Sequence, residues 1–487
     1  MKRLRRVGVT TNEPLLFEIE HCLDRKGVNT DDVKINKKYL REDTPQIPEL
    51  DEVSVVRHYT RLSQWNYGVD TGMYPLGSCT MKYNPKFNEY AARLEGFSSI
   101  HPYTPEDLMQ GVLKVIYETE RYLAEIGGFE RVTMIPSAGA HGEYTGIMMV
   151  RQYHLDKGNP RKKVLIPDTA HGTNPASCAL NGYEVVQIKS SSAGYLTKEE
   201  LLKHIDENVA ALMVTNPNTL GIFEKEIHEI ADILHSKDAL LYCDGANMNS
   251  LIGIARPGDM GVDVLQYNLH KSFSTPHGGG GPGSGPVGVS KKLLDYLPVP
   301  LVDKRGDKFV LVYERPKSIG QVKAYMGNFG IIIRAYAYIR AMGAEGLKKA
   351  TEYAVLNANY IRKRLSNYYH LPYETPSMHE YVFSDKKQEE KGVTTMDIAK
   401  RLIDYGFHPP TVYFPLVVHG AIMIEPTESE SRDSLDGFID AMIAIAEEAD
   451  KNPEILKDTP MLSPVSRADE VRAAKELRLK YDRNRCS

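Results

Sequence analysis

Between Val262 and Ser290 the chain reads VDVLQYNLHKSFSTPHGGGGPGSGPVGVS, and few local structures accommodate that order of residues. Val262, Val264 and Leu265 open an alternating apolar run. A lone lysine, Lys271, follows among Asn268, Leu269, His270 and Ser272. Glycine and proline then dominate from Pro276 to Gly288, and a second apolar run carries Val287 and Val289. The order is strand, reactive turn, loop and strand. A lysine amine is a weak nucleophile while it is protonated. One that forms Schiff bases is therefore partly desolvated or set beside another cation. His270 and His277 are near enough in sequence to assist. Taken alone, the same lysine reads equally as an ordinary surface residue, so a second group has to decide.

That group lies upstream. Leu240 to Cys243 has the character of a buried strand and runs straight into Asp244. Open α/β sheets bind ligands in the crevice at the C-terminal ends of their strands, where Asp244 falls. Asp244 precedes Lys271 by the length of one crossover and one strand. Pyridoxal phosphate needs both groups: a lysine for the covalent imine, and a carboxylate that keeps the pyridine nitrogen protonated so that the ring accepts electrons. Read alone, Asp244 would be a helix N-cap.

The rest of the chain alternates strands and helices. Arg131 to Pro136 reads as a short strand, and the small residues Ser137 to Gly142 as a turn into a helix starting near Glu143. Amides at such a helix start make an anion site suited to a phosphate. Lys163 to Pro167 is the next strand and ends in Asp168-Thr169-Ala170-His171. His171 can stack on a ring and also exchange a proton; its plain alternative is a hydrogen-bonded turn histidine. Tyr183 to Ile188 and Ala210 to Thr215 read as strands, and Glu106 to Ile126, Leu196 to Asn208 and Glu226 to His235 as helices, with Thr197 capping the second. This alternation predicts a mainly parallel sheet. Helices over Gly330 to Gly343, Gly346 to Leu365, Thr395 to Tyr405 and Ser434 to Ala449, with strands Tyr381 to Ser384 and Ile422 to Ile424, predict a smaller C-terminal α+β domain. Glu425 to Glu430 reads as acid at the positive end of the last helix.

The expected division is an arm over 1–78, anchored by the short apolar run Glu13 to Phe17, a large cofactor-binding domain over 79–330, the small domain over 331–452 and a tail over 453–487. Two motif matches fail on context. Gly283 to Gly288 fits G-x-G-x-x-G but joins no strand to a helix and contains Pro286. His277-Gly278-Gly279-Gly280 resembles a lipase oxyanion loop, yet the chain has no G-x-S-x-G elbow.

Composition sets the remaining limits. At 487 residues, 42% hydrophobic and 25% charged, the chain is long enough for a large buried core. A net charge of −4 gives no sign of nucleic acid or a membrane surface as partner, and no apolar run is long enough to span a bilayer. The five cysteines, Cys22, Cys79, Cys178, Cys243 and Cys486, show neither metal spacing nor a disulfide framework, so no metal is expected and a reducing cytoplasm fits best.

The segment around Lys271 resembles the pyridoxal-lysine segment of glycine decarboxylase, the P-protein of the glycine cleavage system. So do GMYPLGSCTMKYNP (Gly72 to Pro85), PSAGAHGEYTG (Pro136 to Gly146), PDTAHGTNPAS (Pro167 to Ser177), TNPNTLGIFE (Thr215 to Glu224) and IEPTESES (Ile424 to Ser431). The length matches the second subunit of the two-subunit form. The resemblance implies an α/β fold of the aspartate-aminotransferase type (fold type I). It implies pyridoxal phosphate bound as an imine on Lys271, with Asp244 on the pyridine nitrogen and His171 over the ring. Ser137, Gly139 and Ala140 would lie at the phosphate, with Thr173 and Asn268 as further contacts. His171 and His270 are the expected proton-handling groups. His141 departs from the glutamine of single-chain members. The implied activity is decarboxylation of glycine with transfer of the aminomethyl group to the lipoyl arm of H-protein. The implied partner is P-protein subunit 1, in an α2β2 heterotetramer. Another amino acid decarboxylase or hydroxymethyl transferase of the same fold, and a non-catalytic assembly subunit, are the rival readings. Arg334 and Arg432 are the candidates for the substrate carboxylate, with no sequence reason to choose.

Overall fold

Two stretches of continuous apolar sequence, VAALMVT and LLYCDG, become the centre of the main sheet, as β4 (Val209–Thr215) and β5 (Leu240–Gly245), buried at every position. Continuous rather than alternating hydrophobicity is what a parallel strand covered on both faces requires. The structure, a computed structural model, describes residues 13–18, 35–42, 47–48, 50–278, 283–477 and 479. Cys22, Cys486, residues 279–282 of the glycine run and much of the expected arm and tail lie outside the described residues. Two compact units result, one of Met1–Gly68 with Asp458–Ser487 and one of Val69–Lys457.

In the first unit the helix Glu52–Ser63 starts at Asp51, whose carboxylate accepts from Ser54 N at 2.8 Å. The expected apolar anchor at Glu13 to Phe17 is tied largely by charge. Glu13 accepts from Arg61 Nε at 2.5 Å and Nη2 at 2.6 Å, and lies 2.9 Å from His58 Nδ1. Arg61 holds the Glu13 carboxyl below its ordinary range.

The second unit carries the main sheet: β1 (Arg131–Thr133), β2 (Lys163–Pro167), β3 (Glu184–Ile188), β4, β5, β6 (Val264–Tyr267) and β7 (Val287–Val289), in the order β1-β7-β6-β5-β4-β2-β3. β6, β5, β4, β2 and β3 are parallel, while β7 runs antiparallel between β1 and β6. Side chains alternate between two cores, as the period of two demands. Leu212, Val214, Leu241, Cys243 and Leu265 join the helices Gln110–Gly127 and Ile227–Ser236 in one cluster. Ala211, Met213, Leu240, Tyr242 and Val264 join the helix Gly139–Asp156 in the other. That helix comes down onto the sheet at Gly146, where an added Cβ would lie 2.5 Å from Tyr242 Cε2 and 3.0 Å from Val264 Cγ1.

A hairpin of β8 (Leu301–Arg305) and β9 (Lys308–Val312), turned at Gly306 with φ +61°, was not legible among its charged residues. The second sheet is antiparallel, in the order β10-β12-β11, with β10 at Tyr381–Ser384, β11 at Thr411–Val412 and β12 at Ala421–Ile424. Phe383, Ile422 and Ile424 pack there with Leu402, Phe438 and Met442 of the helices Thr395–Asp404 and Arg432–Lys451.

Several expected boundaries move for local reasons. The helix placed near Glu143 begins at Gly139. The helix expected over Leu196 to Asn208 is only Lys198–Leu202; Thr197 does cap it, but Asp206 accepts from Asn208 N at 2.8 Å, a turn that competes with further helix. The helix expected from Glu106 starts at Gln110, after a 3-10 turn that leaves Leu108 exposed. Phe329–Leu365 is one helical run broken at Gly343, where φ is +60°. Glu425 does not open the last helix. Ser431 caps that helix and accepts from Ser434 N at 3.2 Å, while Glu425 is fully buried. Among the described residues no helix is long and apolar enough to cross a membrane.

Replacing Gly146 by leucine forces side-chain carbons into Tyr242 and Val264. The expected cost is about 1–3 kcal/mol in chemical denaturation. Faster amide exchange over residues 139–142 should accompany it, because the start of the same helix loses its seat on the sheet.

Candidate active site

β5 ends in Asp244, which is 1% exposed and therefore must find donors inside the protein. It finds three. The backbone pairs Asp244 with Gln266 on β6, so their side chains share a face. Gln266 Nε2 donates to Asp244 Oδ1, and Tyr242 OH fixes that amide by donating to Gln266 Oε1 at 2.8 Å. Ala246 N donates to Oδ1 at 2.9 Å, and Asn174 Nδ2 donates to Oδ2 at 3.0 Å.

β6 leads into a single helical turn, Leu269–Ser272, that carries Lys271. Among the described residues the Lys271 amine makes no hydrogen bond or ion pair. Its charge is felt at Cys79, His171, His270, His277, His379, Glu380 and Glu425. Burial drives His270 down to about 3 and His277 down to about 4. Both are thus neutral near pH 7, and neither is the neighbouring cation that the sequence offered. Their rings meet edge to face at 5.1 Å, and His270 Nδ1 accepts from Ser284 N at 3.4 Å. Asn268 stands just before the turn, makes no side-chain capping bond to it, and packs against Gly139, where an added Cβ would strike its side chain.

His171 follows β2 and feels both Asp244 and Lys271. Burial is the larger influence and takes its pKa down to about 4. Its backbone N–H donates to Thr215 Oγ1 at 3.3 Å, while the ring Nε2 is buried without a partner. Asp244, Lys271 and His171, far apart in sequence, thus come together.

Ser137, Gly139 and Ala140 form the start of the helix Gly139–Asp156, whose N-cap, Ala138, has no side chain to close the first turn. His141 is engaged in this loop: its Nδ1 accepts from Ser137 N at 3.2 Å and lies 3.3 Å from Ser137 Oγ. The Ser137 amide is therefore already taken. One turn on, Glu143 accepts from Thr173 Oγ1 at 2.8 Å, Asn174 Nδ2 at 3.1 Å and Ser177 Oγ at 3.3 Å. Thr173 thus joins the cluster through Glu143, which sequence reasoning missed. Burial, then the Asp244 charge, raises the Glu143 carboxyl to about 7.

A second wall was also missed. Glu380, just before β10, accepts from Ser78 N at 2.6 Å and from Asn247 Nδ2 at 2.9 Å. Glu425, just after β12, accepts from Thr80 N at 3.0 Å and Thr80 Oγ1 at 2.5 Å. Both glutamates and the adjacent His379 are fully buried. The motifs GSCTMK and IEPTE were visible, but nothing in either says that they meet. Lys82, also buried, braces the same wall through Glu428 at 2.7 Å, Asn249 at 2.9 Å and Tyr338 OH at 3.3 Å. Arg334 is held by both oxygens of Glu89, and Arg432 is exposed beside Asp436. Neither shows a link to Lys271.

Comparison with known proteins places the chain in a family and a fold. Residues 91–404 match the family described as glycine cleavage system P-protein, and residues 350–462 the family described as glycine dehydrogenase, C-terminal domain. The chain is similar to a probable glycine dehydrogenase (decarboxylating) subunit 2 of Bacillus velezensis, at 56% identity over 91% of each chain. Among solved structures it resembles a glycine decarboxylase (P-protein) of the glycine cleavage system in inhibitor-bound form, with a TM-score of 0.71, 21% identity, and coverage of 84% of this chain and 92% of that one. It also resembles an aspartate aminotransferase from Thermus thermophilus, with a TM-score of 0.57, 16% identity, and coverage of 77% and 99%. The fold is the aspartate-aminotransferase type expected from the sequence.

Glu143 generates a stability prediction. Its folded pKa lies above the unfolded value, so the native state keeps a proton that the unfolded chain releases. Stability from this group is present at low pH and is lost as pH rises toward about 7. Glu143→Gln removes that dependence. Relative to wild type, the variant should gain up to about 3 kcal/mol between about pH 5 and about pH 8 in urea denaturation. A constant difference across that range would mean that Glu143 titrates normally.

Proposed function

Because this chain belongs to the glycine cleavage system P-protein family, we propose that it is the pyridoxal-phosphate-bearing subunit of a glycine dehydrogenase (decarboxylating). The observation that carries the reading is the meeting of a lysine amine, Lys271, that has no partner among the described residues, with Asp244 and His171 at the C-terminal edge of the parallel strands β6, β5 and β2. The residues present fit the cofactor. Among the described residues, His171 Nε2 is a buried polar atom without a partner, and so are Ser272 Oγ, Thr275 Oγ1 and Ser284 Oγ, which follow the lysine in sequence. Buried polar atoms left unpaired are costly, and a polar group bound there would satisfy them.

In this reading Lys271 would hold the cofactor covalently through Nζ. Asp244, oriented by Gln266 and Asn174, would keep the pyridine nitrogen protonated. His171, kept neutral by burial, would lie against the cofactor and could receive or return a proton. The open first turn at Gly139 and Ala140 takes the phosphate with its amides, with Ser137, Thr173 and Asn268 beside it. His270 stays neutral behind Lys271. The bound cofactor supplies the electron sink for the pair left when CO2 departs.

The finer reading follows the family. The aminomethyl group passes to the lipoyl disulfide of H-protein, and P-protein subunit 1 completes an α2β2 assembly in the cytoplasm. The similar Bacillus velezensis protein carries the name subunit 2, which supports a two-subunit enzyme. The expected division at 78, 330 and 452 remains the working description of arm, large domain, small domain and tail.

Borohydride reduction of the protein, with and without its partner subunit, followed by peptide mass mapping, tests the assignment. A pyridoxyl adduct on Lys271, absent from Lys271→Ala, is the expected result. Exchange of labelled CO2 into glycine should fall by at least about 100-fold in the same variant. No adduct under either condition would leave a non-catalytic assembly subunit as the reading.

A further inference from the structure

The reaction proposed above also has to move a proton from the substrate to the acceptor. Glycine enters as the ammonium carboxylate and leaves its carboxyl carbon as CO2. The electron pair left on its α-carbon forms a bond to one sulfur of the lipoyl disulfide. The S–S bond breaks, and the other sulfur departs with its electron pair as a thiolate. The disulfide is reduced and the glycine carbon oxidised. Counting hydrogens, the aminomethyl thioether carries a neutral amine and the second sulfur becomes a thiol. One proton has therefore moved from the substrate nitrogen to sulfur, and something has to carry it.

We propose that Glu380 and Glu425 share one proton in the Lys271 pocket and carry it from the glycine nitrogen to the released sulfur. The inference rests on the reaction just described. Its geometry is that of a built pair. Glu380, Glu425 and His379 present polar atoms within 4.8 Å of one another, and all three residues are fully buried. Two like charges that close and that dry do not ionise together. The backbone amides of Ser78 and Thr80 each donate to one of the carboxyls, which holds the pair in place. An independent observation points the same way. Among the described residues, neither ring nitrogen of buried His379 has a hydrogen-bond partner, and Nε2 lies 3.8 Å from Glu425 Oε1, so an acceptor site lies open toward the pair. The titratable and charged groups facing it are Lys271, Cys79, His379 and Glu428, the last neutralised by Lys82. Burial takes Glu425 up to about 7 and holds Glu380 well above the ordinary carboxyl range, while His379, at about 3, remains neutral. The pair can thus both take and give a proton near neutral pH.

The test uses the holoenzyme with its partner subunit and a lipoylated carrier. Infrared difference spectra of wild type minus Glu380→Gln/Glu425→Gln, near pH 7, should show the C=O stretch of a protonated carboxyl; its absence overturns the proposal. Glu425→Gln, which keeps shape and hydrogen bonding but cannot carry the proton, should slow aminomethyl transfer on the order of 100-fold with the cofactor absorbance unchanged. Thr80→Ala removes a donor to the ionised carboxylate, so the alkaline limb of the transfer pH profile should move upward. Wild-type transfer rates in both single glutamine variants, or an unmoved limb in Thr80→Ala, overturn the role. A stoichiometric metal ion found by elemental analysis and lost in Glu425→Gln overturns it as well, in favour of a metal site. Failure of wild type itself to label the carrier, with the Lys271 adduct present, overturns the reaction as read and this role with it.

Discussion

A carboxylate at the end of a fully buried strand needs donors from whatever surrounds it, and Asp244 is the place where this constraint organises the molecule. Gln266 ties it to the next strand and fixes the register that brings Lys271 onto the adjacent turn. Asn174 ties it to the helix Thr173–Leu180, and the same amide also donates to Glu143. That second bond brings in the helix whose open first turn lies at Gly139. One buried carboxylate thus ties together the lysine turn, the helix that follows His171 and the candidate phosphate turn. The cost of leaving Asp244 unpaired, several kcal/mol, makes this arrangement cooperative rather than a sum of separate contacts.

The opposite wall is held by the same physics with the signs rearranged. Ser78 and Thr80 have φ of +61° and +41°, which residues with a Cβ seldom adopt. Such a backbone persists where the surroundings over-determine it. Here the determinants are two buried glutamates that take the amides of these two residues, and the buried Lys82–Glu428 pair immediately after them. A buried ion pair contributes little net stability against its desolvation cost, but removing one partner is severe. Its value at Lys82 is positional: it pins the segment carrying Ser78, Cys79 and Thr80 to the ends of the strands that carry Glu380 and Glu425.

These two walls differ in how far the sequence could reveal them. Asp244 and Lys271 were legible because each sits at the end of an apolar run whose length and composition already specify a strand. The order of elements follows from such local signals, as do Thr197 as a cap and β10 at Tyr381–Ser384. His171 was legible as a candidate for the same reason, standing where β2 stops. Glu143 was not, because a glutamate in the first turns of a helix reads as a favourable interaction with the helix dipole. Glu425 was misread on the same ground, before Ser431 proved to be the cap. His270 and His277 were read as possible cations, since nothing local announces that burial keeps both neutral.

The misreadings share one cause. Sequence patterns report how a residue relates to its own strand or helix, whereas the protonation of an acid or a histidine depends on what distant segments exclude or supply. Glu380 and Ser78 are 302 positions apart and Glu425 and Thr80 are 345 apart, and only the closure of the small sheet over the 77–82 segment removes their water. The same closure brings both acids within the field of Lys271. In the proposed reaction a proton passes between nitrogen and sulfur, which calls for acids that are neither permanently charged nor permanently neutral. Exposed glutamates would stay ionised at neutral pH, and isolated buried ones would stay protonated. Two that crowd each other, with backbone donors favouring the charged form and burial opposing it, lie between those limits. That balance exists only in the folded chain.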